Sequence, residues 1–390
     1  MSWRASHNRV VVAYIASQMN FYIPILIVCF LQRGLSAVDA GILMATYTAS
    51  LTVFEVPSGI AADMFGKQRV IVCGLLVKSV GILGVAYGEG MFVLVVSQVI
   101  IGLGDTSQSG AVEGLLYEHM AECGQVEQFR SVFRSMASMG TFALSASYLA
   151  GAWLYDVAGV AVFICAAVVA LGSAVIFATV ASAPSIPRQA WRGCRRVGVR
   201  GVRLCLLSYP RELVFESFMM LLYFQLFQLC MINVGIDAAY NGIIYMIVGV
   251  AFGVGAGLAG RRYMGEQMMY RVAPCAVVSC MAIMLVGESI VLVLVYIALR
   301  FIWGAYSTNF SISLNSSITD NYERASILSM AGWLIAIMAS GLYYVGGVLY
   351  EAVGARTAIV ILLGVFVVLY IGASTVVASR KTPDAAPLKC

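Results

Sequence analysis

The chain is divided into apolar stretches, each long enough to cross a bilayer, with little left between them. A helix needs roughly 20 apolar residues to span about 30 Å of hydrocarbon. Twelve stretches qualify: 10–31, 41–62, 70–88, 91–117, 131–155 and 160–181, then 211–233, 239–259, 271–287, 289–316, 325–350 and 357–378. Hydrophobic residues make up 61% of the chain and charged residues 11%. A soluble domain has about 45–50% and about 25% respectively, so a soluble catalytic domain is excluded. The net charge of +5 is no nucleic-acid signature, because the basic residues sit in loops between apolar stretches.

The two halves repeat one another. Arg130-Ser-Val-Phe-Arg-Ser135-Met-Ala-Ser opens one stretch, which closes on Gly151-Ala-Trp-Leu-Tyr155-Asp-Val-Ala-Gly159. Arg324-Ala-Ser-Ile-Leu-Ser329-Met-Ala-Gly opens another, which closes on Gly347-Val-Leu-Tyr350-Glu-Ala-Val-Gly354. Upstream, Gly34-Leu-Ser-Ala-Val-Asp-Ala-Gly41 answers to Gly235-Ile-Asp-Ala-Ala-Tyr-Asn-Gly242. A duplicated, strongly apolar chain marks a transporter built from two like halves. The expected fold is all-α and integral to the membrane, with twelve transmembrane helices in two pseudo-symmetric six-helix bundles. The expected division is 1–183 for the first bundle, 184–210 for a basic cytoplasmic linker, 211–379 for the second bundle and 380–390 for a cytoplasmic tail.

Orientation follows from lysine and arginine, which favour cytoplasmic loops. One set of loops carries Arg4, Arg9, Lys67, Arg69, Arg130, Arg134, Arg261, Arg262, Arg324 and Arg380, together with the arginines of the linker; the opposite set carries only Arg33 and Arg356. Both termini are therefore expected in the cytoplasm of a cell-membrane protein. Glycines are expected to let helices approach where lipid gives no hydrophobic drive, at Gly81, Gly84 and Gly88 and at Gly249, Gly253 and Gly257. The ten cysteines form no C-x-x-C and read as reduced thiols. There is no metal cluster, no nucleophile–base arrangement and no nucleotide-binding motif, so neither an enzyme nor an ATP-driven pump is expected, and no cofactor or metal.

Gly59-Ile-Ala-Ala-Asp63-Met-Phe-Gly66-Lys67-Gln-Arg69 lies in a cytoplasmic turn. It resembles the G-x-x-x-D-x-x-G-[RK]-x-[RK] signature of the major facilitator superfamily. The spacing makes physical sense. Gly59 permits close helix contact, Gly66 a tight reversal, and Asp63 can cap the positive end of a neighbouring helix. Lys67 and Arg69 can pair with carboxylates at the end of the fourth stretch, with Glu113 expected among them. The resemblance implies that this cluster latches one state of a rocking transporter. The counterpart Gly260-Arg-Arg-Tyr-Met-Gly265 lacks the aspartate. Ser109-Gly110-Ala-Val-Glu113-Gly-Leu-Leu-Tyr117-Glu118 is similar to a stretch in a bacterial, drug-efflux-like branch of the same superfamily. Two features depart from proton-coupled drug antiporters: Gln98 stands where many have arginine, and the stretch 131–155 has no proline.

An ionisable group inside the membrane costs on the order of 2.5–3.5 kcal/mol, so each marks function by default. Those present are Glu55, Lys78, Asp105, Glu113, Glu216 and Arg300. Helical spacing puts Gly102, Asp105, Ser109, Glu113 and Leu116 on one face, which the resemblance turns toward the central cavity. Asp105 and Glu216 are the expected proton or ion sites. Arg300 is forked and fixed in charge, suited to a carboxylate or phosphate, or to a bridge with Asp105 or Glu216. Tyr14, Gln18 and Tyr22 recur every four residues; Tyr223, Tyr306 and Asn309 complete the expected substrate-binding set. The reading is a monomeric secondary active transporter that takes a small organic solute by alternating access, with proton-coupled export of a drug-like or amphipathic metabolite. The alternatives are uptake or exchange of a small anionic metabolite, and a non-transporting membrane sensor.

Overall fold

The computed structural model describes residues 3–180, 202–259, 266–285, 289–317 and 321–380; the linker up to residue 201, the Gly260–Gly265 motif and the tail beyond Arg380 lie outside them. Among the described residues every regular element is helical. The helices are α1 (Trp3–Ser17), α2 (Leu26–Gln32), α3 (Ala37–Phe65), α4 (Lys67–Tyr87), α5 (Met91–Thr106), α6 (Ala111–Glu122), α7 (Phe129–Ala158) and α8 (Ala161–Ala178). They continue with α9 (Pro210–Leu221), α10 (Phe227–Asn233), α11 (Ala238–Leu258), α12 (Glu266–Met284), α13 (Ser289–Ser317) and α14 (Asn321–Arg380).

Eight stretches among the described residues are long and apolar enough to cross a membrane. One of them, Met330–Val377, covers the last two expected spans in sequence. Helix α14 turns between these at Gly354, whose φ of +76° only glycine adopts readily. Of the remaining expected spans, 131–155 is helical, 10–31 is helical in two pieces and 271–287 is helical to Met284, but none is among the eight. Large apolar side chains such as Phe92, Phe142, Ile290 and Val368 are exposed, as lipid-facing surfaces require.

The chain forms two compact units: 1–189 with 236–249, and 190–235 with 250–390. In the first, Val10, Ile71, Leu75, Leu116, Met136 and Phe177 form a buried core drawn from α1, α4, α6, α7 and α8. Ser36 and Asp39 cap α3 reciprocally, each hydrogen bond being 3.0 Å. Gly66, at φ +93°, makes the reversal into α4. Arg33 closes the other end of α4 by donating to the Val85 and Ala86 carbonyls at 2.6 and 2.8 Å. In the second unit, Cys205, Leu213, Phe310 and Leu334 are buried together. Residues 202–208 are helical, so the end of the expected linker packs against the bundle.

The glycines depart from expectation in an informative way. Gly81 and Gly249 do lie against Ile101 and Ser145, 2.8 and 2.9 Å from an added Cβ, and Gly84 lies against Ser97. Gly253 and Gly257 face open space, however. The close approach in this part of the chain is instead at Gly255 and Gly304, each seated on the other helix's backbone at Phe301 and Phe252. An evenly spaced row identifies a face but not whether another helix covers it.

Candidate functional site

Glycines on α5 bring three helices to one carboxylate. At Gly102 an added Cβ would lie 2.6 Å from the Ser50 side chain and 3.2 Å from the Tyr47 carbonyl; at Gly104 it would lie 2.6 Å from Lys78 Cβ. With no side chains there, α3 and α4 close on α5 around Asp105. Tyr47 Oη donates to Asp105 Oδ2 at 2.9 Å. Lys78 Nζ pairs with Asp105 Oδ1 at 2.7 Å and donates to Asn20 Oδ1 at 3.0 Å. The Lys78 side chain is 3% exposed and that of Asp105 23%, so the carboxylate is the open side of the pair.

That side faces a cavity of about 480 Å³ within the first unit. Its walls include Tyr14, Gln18, Glu55, Gln108, Glu113 and Met136. Gly140 lets α7 lie against the Tyr14 ring, 2.8 Å from an added Cβ. Ser109 Oγ donates to Glu55 Oε1 at 3.1 Å. Among the described residues its wall carries three carboxyl side chains, Glu55, Asp105 and Glu113, and one ammonium, Lys78. Such a site attracts cations.

The chain reaches this arrangement through two breaks that the apolar pattern conceals. The expected span 91–117 is interrupted between α5 and α6. There the Gln108 and Ser109 amides bond the carbonyls three residues back, at 3.1 and 3.2 Å, and Gly110 takes φ +66°. Gly102, Asp105, Ser109, Glu113 and Leu116 therefore do not share one helix face. Gly102 packs on α3 and Leu116 enters the core, while the three polar residues line the cavity. The first span is broken after Ser17 and resumes through a short turn at Ile23–Ile25. Tyr14 and Gln18 face the cavity, but Tyr22 is buried and stacks on Phe163, ring centroids 5.7 Å apart. The four-residue recurrence fails there because the backbone between is not helical.

The signature turn also differs from expectation. Lys67 pairs with Glu118, not with Glu113, and its stem lies over Gly114. Gly59 has nothing within 4 Å of an added Cβ, so it marks no helix contact. Among the described residues Arg69 makes no ion pair. The side chains of Asp63, Arg130 and Arg134 lie outside the described residues.

In the second unit, a π-turn over Leu222–Leu226 joins α9 to α10. It sets the Tyr223 ring under the Arg300 guanidinium, 3.9 Å from the centroid, with Trp303 and Phe252 at 4.5 and 4.6 Å. Arg300 is buried and makes no ion pair within 4 Å among the described residues of its unit; this aromatic cage, not a Glu216 bridge, lies against its guanidinium. Glu216 accepts from Trp303 Nε1 at 2.7 Å. Tyr306 stacks on Phe215 at 3.7 Å, and Asn309 Nδ2 donates to the Ala305 carbonyl of its own helix at 2.9 Å. Both are buried, serving packing and helix rather than an open wall.

Asn20, Tyr47 and Gln108 escaped the sequence reading. Polar residues of ordinary type in apolar stretches carry little signal alone. Lys78 did carry one, as a cation in an apolar stretch, but its partner lay on another helix. Among the described residues no group of three or more metal-ligating side chains gathers.

Residues 10–341 match the sequence profile of the Major Facilitator Superfamily. The chain is 33% identical over 98 residues to the quinolone resistance protein NorA of Staphylococcus aureus, which is 25% of each protein. It is 33% identical over 75 residues to an uncharacterized transporter of Buchnera aphidicola, 19% of this chain and 18% of that one. It thus spans a quarter or less of the curated relatives it matches. Among solved structures, a variant of the nucleoside transporter NupG aligns with a TM-score of 0.78 at 12% identity, over 96% of this chain and 100% of that one. A bacterial homologue of the human lysosomal transporter Spinster, inward-facing and unoccupied, aligns with a TM-score of 0.72 at 11% identity, over 97% and 98%. At such identities the likeness concerns the fold.

Proposed function

From its membership of the Major Facilitator Superfamily, to which this chain belongs, we propose proton-coupled export of a cationic, amphipathic small molecule, with Asp105 as the proton site. The family makes the chain a multi-pass membrane protein and a secondary transporter of a small molecule, not an enzyme. The finer reading rests chiefly on one observation: the Lys78–Asp105 pair stands on the wall of a cavity with an excess of carboxylates.

The pair supplies a two-state element. With Asp105 ionised, Lys78 is held at 2.7 Å and Tyr47 at 2.9 Å, tying α3, α4 and α5 together. A proton on Asp105 removes the charge that holds Lys78, leaving the ammonium to Asn20. A cationic solute in the cavity favours the ionised carboxylate, so proton and solute compete for one group. That competition is the thermodynamic requirement for exchange. Aromatic and amide walls from Tyr14, Gln18 and Phe133 suit an amphipathic body. Glu216, buried under Trp303, is a second acid on which a proton could reside. Lys67–Glu118 serves as the conformational latch. The likeness to NorA, a quinolone resistance protein, supports export, and the basic loops support an inner-membrane protein with both termini in the cytoplasm. It acts as a monomer.

The test is flux in inverted vesicles with an imposed pH gradient, using a fluorescent organic cation as probe. The expected result is uptake driven by an acidic lumen and lost in Asp105→Asn. Unchanged flux in that variant removes Asp105 from the mechanism. A second reading, exchange of a small anion, rests on Arg300, a buried guanidinium stacked among Tyr223, Trp303 and Phe252 with its Nε unpartnered. It predicts that Arg300→Ala weakens apparent affinity for an anionic solute, and an unaltered affinity defeats it.

A further inference from the structure

On the outer side of α3, α4 and α5 there is a second cavity, about 300 Å³ in volume. Its walls are almost wholly apolar, with Phe65, Val70, Val77 and Leu103 among them. Among the described residues one charged side chain lines it, Arg69. Arg69 is exposed and has no ion pair among the described residues, whereas nearby Lys67 is taken up by Glu118. The groove thus combines an apolar trough with a single unengaged cation. Arg69 stands in the first turn of α4, just after the Gly66 reversal that the basic-loop pattern assigns to the cytoplasmic side.

We infer that this groove binds an anionic phospholipid of the cytoplasmic leaflet, one acyl chain along the trough and the phosphate on Arg69. An acyl chain gains van der Waals contact by leaving looser lipid for a fitted apolar wall, and a guanidinium forks onto phosphate oxygens. Charge selects the occupant: a zwitterionic lipid supplies the same chains but a weaker net attraction. The site also reaches the transport machinery. Ser107 lines the groove, while its neighbours Asp105, Thr106 and Gln108 line the polar cavity. The α5–α6 break therefore has lipid on one side and the Lys78–Asp105 pair on the other. Gly74 seats α4 against Ser107 at the same level, so a chain in the trough braces the turn that positions Asp105.

Cys73 lines the groove as a free, exposed thiol, which gives a direct readout. The full chain is reconstituted in nanodiscs of phosphatidylcholine, with or without phosphatidylglycerol. Alkylation of Cys73 by N-ethylmaleimide is followed by peptide mass spectrometry. Cys123, free and exposed outside the groove, reports any general effect of surface charge. Relative to Cys123, Cys73 is expected to react about fivefold more slowly when phosphatidylglycerol is present. Arg69→Lys should keep the protection and Arg69→Gln should abolish it; Arg69 is exposed, so neither disturbs the core. Equal rates in the two lipids, or full protection in Arg69→Gln, would overturn the assignment. So would protection by a fluorescent organic cation but not by phosphatidylglycerol, which would make the groove a solute path. The readout needs no transport, so the proposed export stands or falls separately.

Discussion

Replacing Asp105 by asparagine strands a buried ammonium. Lys78 is 3% exposed in its side chain and, once the carboxylate is gone, has only neutral acceptors such as Asn20 Oδ1 at 3.0 Å in place of its counter-charge. Removing one member of a buried ion pair costs about 3–5 kcal/mol, and the lower end applies because Asp105 itself is 23% exposed to the cavity. At roughly 2 °C per kcal/mol for a large domain, the apparent melting point should fall by about 6 °C. Lys78→Met should cost less, because the orphaned carboxylate keeps the Tyr47 hydroxyl and can draw water from the cavity. The double variant removes both charges and should recover much of the loss. The assay is thermal unfolding of detergent-purified protein, with all four forms measured at one scan rate, since such unfolding is often irreversible. A double variant whose loss equals the sum of the two single losses would refute the coupling.

Three further outcomes follow from individual contacts. Gly304→Val should prevent α11 and α13 from closing, since any Cβ there strikes the Phe252 backbone; size-exclusion chromatography should show loss of the monodisperse peak, and a normal peak would contradict the contact. Lys67→Ala should change stability by no more than about 1 kcal/mol, because the pair with Glu118 is partly exposed, yet raise alkylation of cysteines introduced along the Asp105 cavity as the latch loosens; unchanged accessibility would argue against a latch. Trp303→Phe takes the 2.7 Å donor from Glu216 and leaves it the Ser307 hydroxyl; it should cost about 1–3 kcal/mol in the same melting assay, and no loss would mean that Ser307 suffices.

The fold was readable because lipid imposes a coarse rule on sequence: apolar runs of sufficient length become helices. The Gly66 turn was readable for a similar reason, since it rests on a local requirement. What failed was inference across a presumed continuous helix. Tyr22 was placed beside Tyr14 by a four-residue step, but the chain unwinds between Ser17 and Ile23. Gly110, one of four glycines in the stretch 91–117, gave no sign of its positive φ, so the interruption near Asp105 stayed hidden. Pairings across helices were also out of reach. Lys67 had two acidic candidates five residues apart on one stretch, and spacing does not decide between Glu113 and Glu118. Lys78 and Asp105 stood out separately, and only the close packing permitted by Gly102 and Gly104 joins them.

The central claim is that proton and cationic solute compete at Asp105. It is tested most directly by titrating weakly buffered, detergent-purified protein with a fluorescent organic cation while recording pH with an indicator dye, at a pH where the uncomplexed protein still holds the transported proton. The account predicts proton release that saturates with solute binding and vanishes in Asp105→Asn. Saturable binding without release, or release that persists in that variant, would contradict it.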